Sequence, residues 1–349
     1  MRLPPEYEEW EDAMERRIVT GLALGLVAAV SFGSSGALAK GLLESGWTPA
    51  AAVTWRVGVA ALILALPACY QMRGHWSLLR RGWTSVAAFG LMAVAFCQLS
   101  YFFAIERVSV GVGMLLEYLG IVLVVGWLWL RHHQRPRPLT LAGVGLAVAG
   151  LLLVLDVFGA VQVDPVGVLW GLGAAAGLAT FFIVSADEST GLPPLVVASF
   201  GLAVGAAALL TAGALGILPM RSPAVTVGLA GVLVPAWVAV AVLGVVTGAL
   251  AYAAGVAATR RLGSKLASFV GLTEVLAAVL FAWLLLGEVP APVQLAGGAL
   301  ILAGVVAVKL DERSPVGDSR PAGSPARRRG LRRSRPSAPV VAAQQTSPQ

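Results

Sequence analysis

Of the 349 residues, 58% are apolar and only 12% charged, and the mean hydropathy is +0.82, whereas soluble domains carry about 25% charged residues. This composition excludes an ordinary soluble enzyme or binding module and places the chain in a membrane. The net charge of +7 sits in short segments between apolar runs and in the C-terminal tail, so it reads as topology and asks for no nucleic-acid partner.

Residues 1 to 17 are acidic, with Glu6, Glu8, Glu9, Glu11, Asp12 and Glu15 ahead of Arg16 and Arg17. They read as a short mobile or interfacial cytoplasmic segment. Ala37-Leu38-Ala39 imitates a signal-peptidase site, but the acidic lead and the length of the run favour a permanent first span. The apolar runs cover 18 to 38, 50 to 69, 84 to 104, 110 to 130, 139 to 155, 166 to 185, 195 to 215, 238 to 258, 265 to 286 and 292 to 309. Each is near the roughly 20 residues that cross a hydrocarbon core, where only a helix satisfies its own backbone. Residues 217 to 237, apolar and holding Pro219, Pro223 and Pro235, read as an interfacial or re-entrant piece. From 311 to 349 the chain is rich in Pro, Ser, Gly and Arg and reads as a disordered basic cytoplasmic tail that can touch anionic lipid.

Residues 127 to 150 recur at 281 to 304, an offset of 154 that pairs Trp129 with Trp283, Pro136 with Pro290 and Pro138 with Pro292. The same offset pairs Trp83 with Trp237, Gly90 with Gly244 and Gly120 with Glu274, while a slightly smaller one pairs Pro49 and Thr54 with Pro194 and Ser199. The chain is therefore a duplication, 18 to 155 and 166 to 310, each copy holding five spans. An odd number of spans forces the copies into opposite orientations, an arrangement that builds a pathway at their interface. The expected fold is all-α and integral to the membrane, with ten transmembrane helices in two inverted five-helix repeats.

Lys and Arg fix the orientation. With the N-terminus inside, the inner segments hold Arg16, Arg17, Arg73, Arg80, Arg81, Arg131, Arg135, Arg137, Arg260, Arg261, Lys265 and the tail, and the outer ones only Lys40, Arg107 and Arg221. Both termini are expected in the cytoplasm of a multi-pass protein of the cell (plasma or inner) membrane. The loop at 186 to 194 fits poorly, carrying Asp187 and Glu188 without a cation. Trp10, Trp47, Trp76, Trp83, Trp127, Trp129 and Trp237 lie near span ends as interfacial anchors. Gly143, Gly150, Gly297 and Gly304 read as close-packing positions, and Cys69 and Cys97 as small apolar packing residues outside any disulfide framework.

Arg56, Glu117 and Glu274 are the charges well inside the spans. Each costs about 2.5 to 3.5 kcal/mol at helix centre on insertion scales, so each is expected to face the bundle interior. Two readings stay open: a proton- or substrate-handling group, or a buried charge that fixes helix register. Gln98, Tyr101 and Phe102 share a face of the third span, and Tyr252 holds in the eighth the position of Gln98. Such a pair at mid-depth suits a substrate cavity. His75, His132 and His133 all fall in loops, away from any intramembrane nucleophile. No nucleotide-binding motif appears, and no catalytic residue, cofactor or metal site is expected.

The stretches SFGSSGALAK from Ser31 and GWTPAAAVTWRVGVAALIL from Gly46, with LLEYLGIVLVVGWLWL from Leu115 and TEVLAAVLFAWLLLGE from Thr273, resemble the EamA family of the drug/metabolite transporter (DMT) superfamily. The family's aromatic-Gly-Ser-Ser run corresponds to Phe32, Gly33, Ser34 and Ser35, and its early arginine in the second span to Arg56. The Glu-Pro pair common in its ninth helix is Glu274-Val275 here. The resemblance implies a central cavity lined by helices one, three, four, six, eight and nine, no cofactor, and export or exchange of small metabolites such as amino acids. Candidate pathway residues are thus Ser34, Ser35, Arg56, Gln98, Tyr101, Glu117, Tyr252 and Glu274. The alternative reading is a membrane-embedded enzyme or lipid-handling protein, which needs a nucleophile, base or metal ligands at one depth.

Overall fold

A computed structural model describes residues 5 to 120, 122 to 123, 138 to 154 and 164 to 311. The end of the fourth span, with Trp127, Trp129, Arg131, His132, His133, Arg135 and Arg137, and the tail from 312 lie outside the described residues, as does the Trp10 side chain. The helices are α1 (Pro5–Glu44), α2 (Pro49–Gln71), α3 (Trp83–Ile105), α4 (Val110–Tyr118), α5 (Pro138–Val154), α6 (Pro165–Ala186), α7 (Pro194–Ala214), α8 (Ala236–Gly263), α9 (Thr273–Leu286) and α10 (Pro292–Asp311). Among the described residues six of them, α1, α2, α3, α6, α7 and α8, are long and apolar enough to cross a membrane, and α5, α9 and α10 hold shorter apolar stretches.

Helix starts follow local chemistry. Six begin at a proline (Pro5, Pro49, Pro138, Pro165, Pro194, Pro292), where the missing N–H would have no partner in any case. Thr48, Ser109 and Asp164 cap α2, α4 and α6 by accepting from Ala51 N, Val112 N and Val166 N. Gly287, in the left-handed region at φ 71°, ends α9. The first helix begins at Pro5, so much of the acidic lead is a helical extension of the first span. The ninth span begins at Thr273 rather than 265, because residues up to Gly271 continue from α8 across a break at Gly263, whose φ of 76° no helix accepts.

Within the piece expected to be interfacial or re-entrant, residues 226 to 235 form an antiparallel hairpin, β1 (Thr226–Leu229) and β2 (Val232–Pro235). Ala230 and Gly231 take positive φ (52° and 75°), as a two-residue hairpin turn requires, and Ala230 N donates to Leu285 O at the end of α9. The segment before it is pinned to the start of α2: Trp47 Nε1 donates to Pro223 O at 3.0 Å and Thr48 Oγ1 to Pro219 O at 2.7 Å. Trp47 is therefore 8% exposed and acts as a tie rather than as an interfacial anchor, whereas Trp76, Trp83 and Trp237 are exposed. Cys97 is buried but Cys69 is exposed, which corrects the packing role expected for Cys69.

α1 runs against α8 and α9; α3 and α4 lie on α6; α2 packs on α7 and α8; α5 pairs with α10. The duplication is visible in these contacts. A Cβ on Gly150 would meet Ile301 N at 2.7 Å and the Gly297 carbonyl, and a Cβ on Gly304 would meet Ala147 N at 2.7 Å and the Gly143 carbonyl. The four glycines thus form one reciprocal crossing, as expected. Gly150→Ala and Gly304→Ala each force α5 and α10 apart, with an expected loss of about 1 to 3 kcal/mol, read as a lower melting temperature of the detergent-purified protein.

Candidate functional site

α3 and α8 are not uniform helices. Phe89–Phe96 in α3 and Leu243–Leu250 in α8 are π-helical, and the two segments stand 154 positions apart, the offset of the duplication. Turns of this kind are rare and concentrate at functional sites. Gln98 and Tyr252 each follow their π segment by two residues. Each segment also rests on glycine contacts with the other repeat: Gly201 faces Phe89 of the first, and Gly244 and Gly248 of the second face Val59 and Ala60 of α2.

Arg56 joins these parts. It is 1% exposed, donates to Gln98 Oε1 just after the first π segment, and donates to Thr247 O inside the second at 2.7 Å. Its guanidinium lies 5.9 Å from the Phe32 ring centroid and 5.8 Å from that of Phe102. Among the described residues no carboxylate pairs with it, so hydrogen bonds and ring faces offset its desolvation.

A cavity of about 590 Å³, counting its open mouth, lies beside Gln98 and Tyr252. α1 supplies Phe32, α3 supplies Cys97 and Gln98, α4 supplies Glu117 and Tyr118, α6 supplies Phe181 and Phe182, α8 supplies Tyr252 and Thr259, and Glu274 comes from α9. These are the helices that the family resemblance implies. Phe32, Phe181 and Tyr252 meet edge to face, with Phe32 and Tyr252 centroids 5.0 Å apart. Cys97 Sγ lies 3.4 Å from Glu117 Oε1. Tyr118 OH donates to Gly271 O at 2.5 Å and lies 3.0 Å from Glu274 Oε2.

Four of the eight expected residues, Gln98, Glu117, Tyr252 and Glu274, line this cavity. The others do not. Arg56 sits behind Gln98. Tyr101 is 2% exposed with an unpartnered hydroxyl, turned toward Gly36 and Gly113. Ser34 donates to Ser31 O at 2.8 Å within its own helix, and Ser35 is buried. Cys97, Tyr118, Phe181, Phe182 and Thr259 were not singled out by sequence as cavity residues; the adjacency of Tyr118 to Glu117 was the one available signal. The carboxylates are not symmetry mates, because Glu117 matches Gly271 and Glu274 matches Gly120 in the other repeat.

Two polar clusters bracket the cavity. At one end Lys40 Nζ lies 2.5 Å from Glu288 Oε1 and donates to Val108 O at 3.2 Å, while Glu288 Oε2 accepts from Val110 N at 3.0 Å, tying α1, α4 and the end of α9 together. At the other, Arg260 donates to Ser185 O and Leu192 O, each at 3.0 Å. The acidic loop at 186 to 194 thus receives its cation from α8. Hydrogen bonds from Ser189 hold the Asp187 carboxyl below its ordinary range. Among the described residues no three His, Cys, Asp or Glu side chains gather as a metal site requires.

An all-helical bundle with full-length apolar helices around an acidic and aromatic cavity defines a multi-pass membrane protein with an internal binding space. The sequence pattern of the EamA-like transporter family matches residues 19 to 156 and again 165 to 310, and the chain belongs to that family, within the drug/metabolite transporter superfamily. It is a membrane transporter. Its sequence is similar to an uncharacterised inner membrane transporter, YicL, of Salmonella typhimurium, 25% identical over 84% of this chain and 96% of that one. It is also similar to an uncharacterised transporter of Archaeoglobus fulgidus, 28% identical over 70% of this chain and 81% of that one. A solved crystal structure superposes with a TM-score of 0.56 at 21% identity, covering 84% of this chain and 98% of the other, which supports the fold.

Arg56→Lys keeps the charge but loses the planar fork that spans Gln98 and Thr247. Breaking a buried bond of this kind costs about 1 to 3 kcal/mol, so Arg56→Lys is expected to melt several degrees lower in detergent, and Arg56→Gln at least as low.

Proposed function

We propose that the protein exports or exchanges a small organic metabolite, of the amino-acid type or related to it, by alternating exposure of the central cavity. The reading assigns ten transmembrane helices to two inverted five-helix repeats, 18 to 155 and 166 to 310, with both termini cytoplasmic and the basic tail beside anionic lipid. The observation that carries it is the pair of π-helical segments at equivalent places in the two repeats, each next to a cavity residue. A π turn leaves a backbone carbonyl outside the regular i→i+4 ladder, so a helix can rewind there at small cost. Two such turns, each in close glycine contact with the opposite repeat, suit a rocking motion about the site.

With the N-terminus inside, the Lys40–Glu288 pair lies at the outer end and closes it, while the Arg260 cluster lies at the inner end. The pair is largely buried, with 17% and 23% of the two side chains exposed, and the desolvation of both charges offsets much of their attraction, so it can bias two states and still break in each cycle. Glu288→Gln is expected to raise the labelling of Cys97 by a membrane-impermeant thiol reagent added outside, in a Cys69→Ser background. Unchanged labelling rejects this gate.

Glu117 and Glu274 are the proposed proton-handling groups. Facing them are Cys97 on α3, Tyr118 on α4 and, behind Gln98, Arg56 on α2. A glutamine cannot release a proton, so Glu117→Gln or Glu274→Gln is expected to flatten the pH dependence of flux in proteoliposomes. Identical pH profiles in wild type and both variants would set proton coupling aside.

A further inference from the structure

The cavity distributes donors and acceptors unevenly. Its hydroxyl protons are directed at protein acceptors: Thr259 Oγ1 donates to Gly255 O at 2.8 Å, Tyr252 OH to Ala93 O at 3.4 Å, and Tyr118 OH to Gly271 O at 2.5 Å. The carboxylates are far less occupied. Glu117, 6% exposed, has one weak thiol contact on Oε1, and Glu274 has one tyrosine contact on Oε2. Among the described residues neither forms an ion pair, and none donates to the second oxygen of either. Among the described residues no lysine, arginine or histidine lines the space. The guanidinium of Arg56, the nearest cation along the chain of contacts, is committed to Gln98 and Thr247 on the far side of Gln98. The remaining wall is aromatic, with Phe32, Phe181, Phe182 and Tyr252.

We propose that the cavity selects amines: solutes with an ammonium group on an apolar, preferably aromatic, body and no carboxylate of their own. An ammonium brings the hydrogen-bond donors and the positive charge that Glu117 and Glu274 lack, and the ring faces add cation–π attraction and apolar burial. A ligand carboxylate would meet acceptors of its own sign, a costly arrangement in a dry site. This rests on the transport reading and narrows it from amino-acid-like metabolites to their amine members.

The test uses three solutes of one shape. 2-Phenylethylamine, phenylalanine and 3-phenylpropanoate share a phenyl body and differ in bearing an ammonium, both charges or a carboxylate. In titration calorimetry on the detergent-purified full chain, the amine is expected to bind at least tenfold tighter than either of the others. Glu117→Gln and Glu274→Gln, first checked for monodisperse elution, are expected to weaken the amine tenfold or more and leave 3-phenylpropanoate unmoved. Equal or tighter binding of the zwitterion or the anion, absence of amine binding, or amine affinity untouched by both variants overturns the proposal; the ligand series on the unmodified protein decides it even if the variants fail to fold. Proteoliposome exchange with a mixed panel of labelled sugars, nucleobases, amino acids and amines separates the two levels. Movement of another class without amines rejects the selectivity and leaves transport standing, and movement of nothing rejects transport as well.

Discussion

Inside hydrocarbon a polar group that loses water must find its partner within the protein, and much of this structure is an answer to that demand. Arg56 shows it most clearly. A guanidinium buried to 1% is held by a side-chain amide on α3, a backbone carbonyl on α8 and the faces of two phenylalanines. The carbonyl it reaches, that of Thr247, belongs to a π turn, where the helix leaves an acceptor that its own ladder does not fully use. The irregular backbone and the buried charge are therefore one arrangement.

The duplication gives the bundle its symmetry, and departures from that symmetry give it a site. Matching π segments, proline starts and the reciprocal glycine crossing of α5 with α10 are shared by both copies. Arg56, Glu117 and Glu274 are not: each carboxylate faces a glycine in the opposite repeat's register, and Arg56 has no cationic counterpart at Gly201, seven residues after Pro194 as Arg56 is after Pro49. A frame of equivalent helices supports a motion in which either end can open. Of these unequal charges, Glu117 and Glu274 line the cavity and Arg56 sits behind Gln98.

Polar clusters near the two ends of α1, at Lys40 and beside Arg17, are built from different chemistry. Lys40 and Glu288 form a largely buried ion pair that also caps the backbone at Val108 and Val110. Arg260 instead holds two backbone carbonyls around the acidic loop after α6.

The composition and the apolar runs alone determined that this chain is helical and lives in a membrane, because no other backbone satisfies itself in lipid. The offset of 154 determined the duplication, the glycine crossing and the equivalence of Gln98 with Tyr252, since these depend on spacing along the chain. The buried charges were legible as interior groups from their cost alone. Tertiary structure decided the rest. That Arg56 and Tyr101 point away from the cavity while Cys97, Phe181 and Phe182 point into it depends on how each helix is rotated in the bundle, which no period in the sequence records and which, in α3, the π segment before Cys97 shifts further. Likewise the hairpin at 226 to 235 arose where the sequence indicated only an interfacial or re-entrant piece, because its bond from Ala230 N to Leu285 O forms only when residues distant in sequence come together.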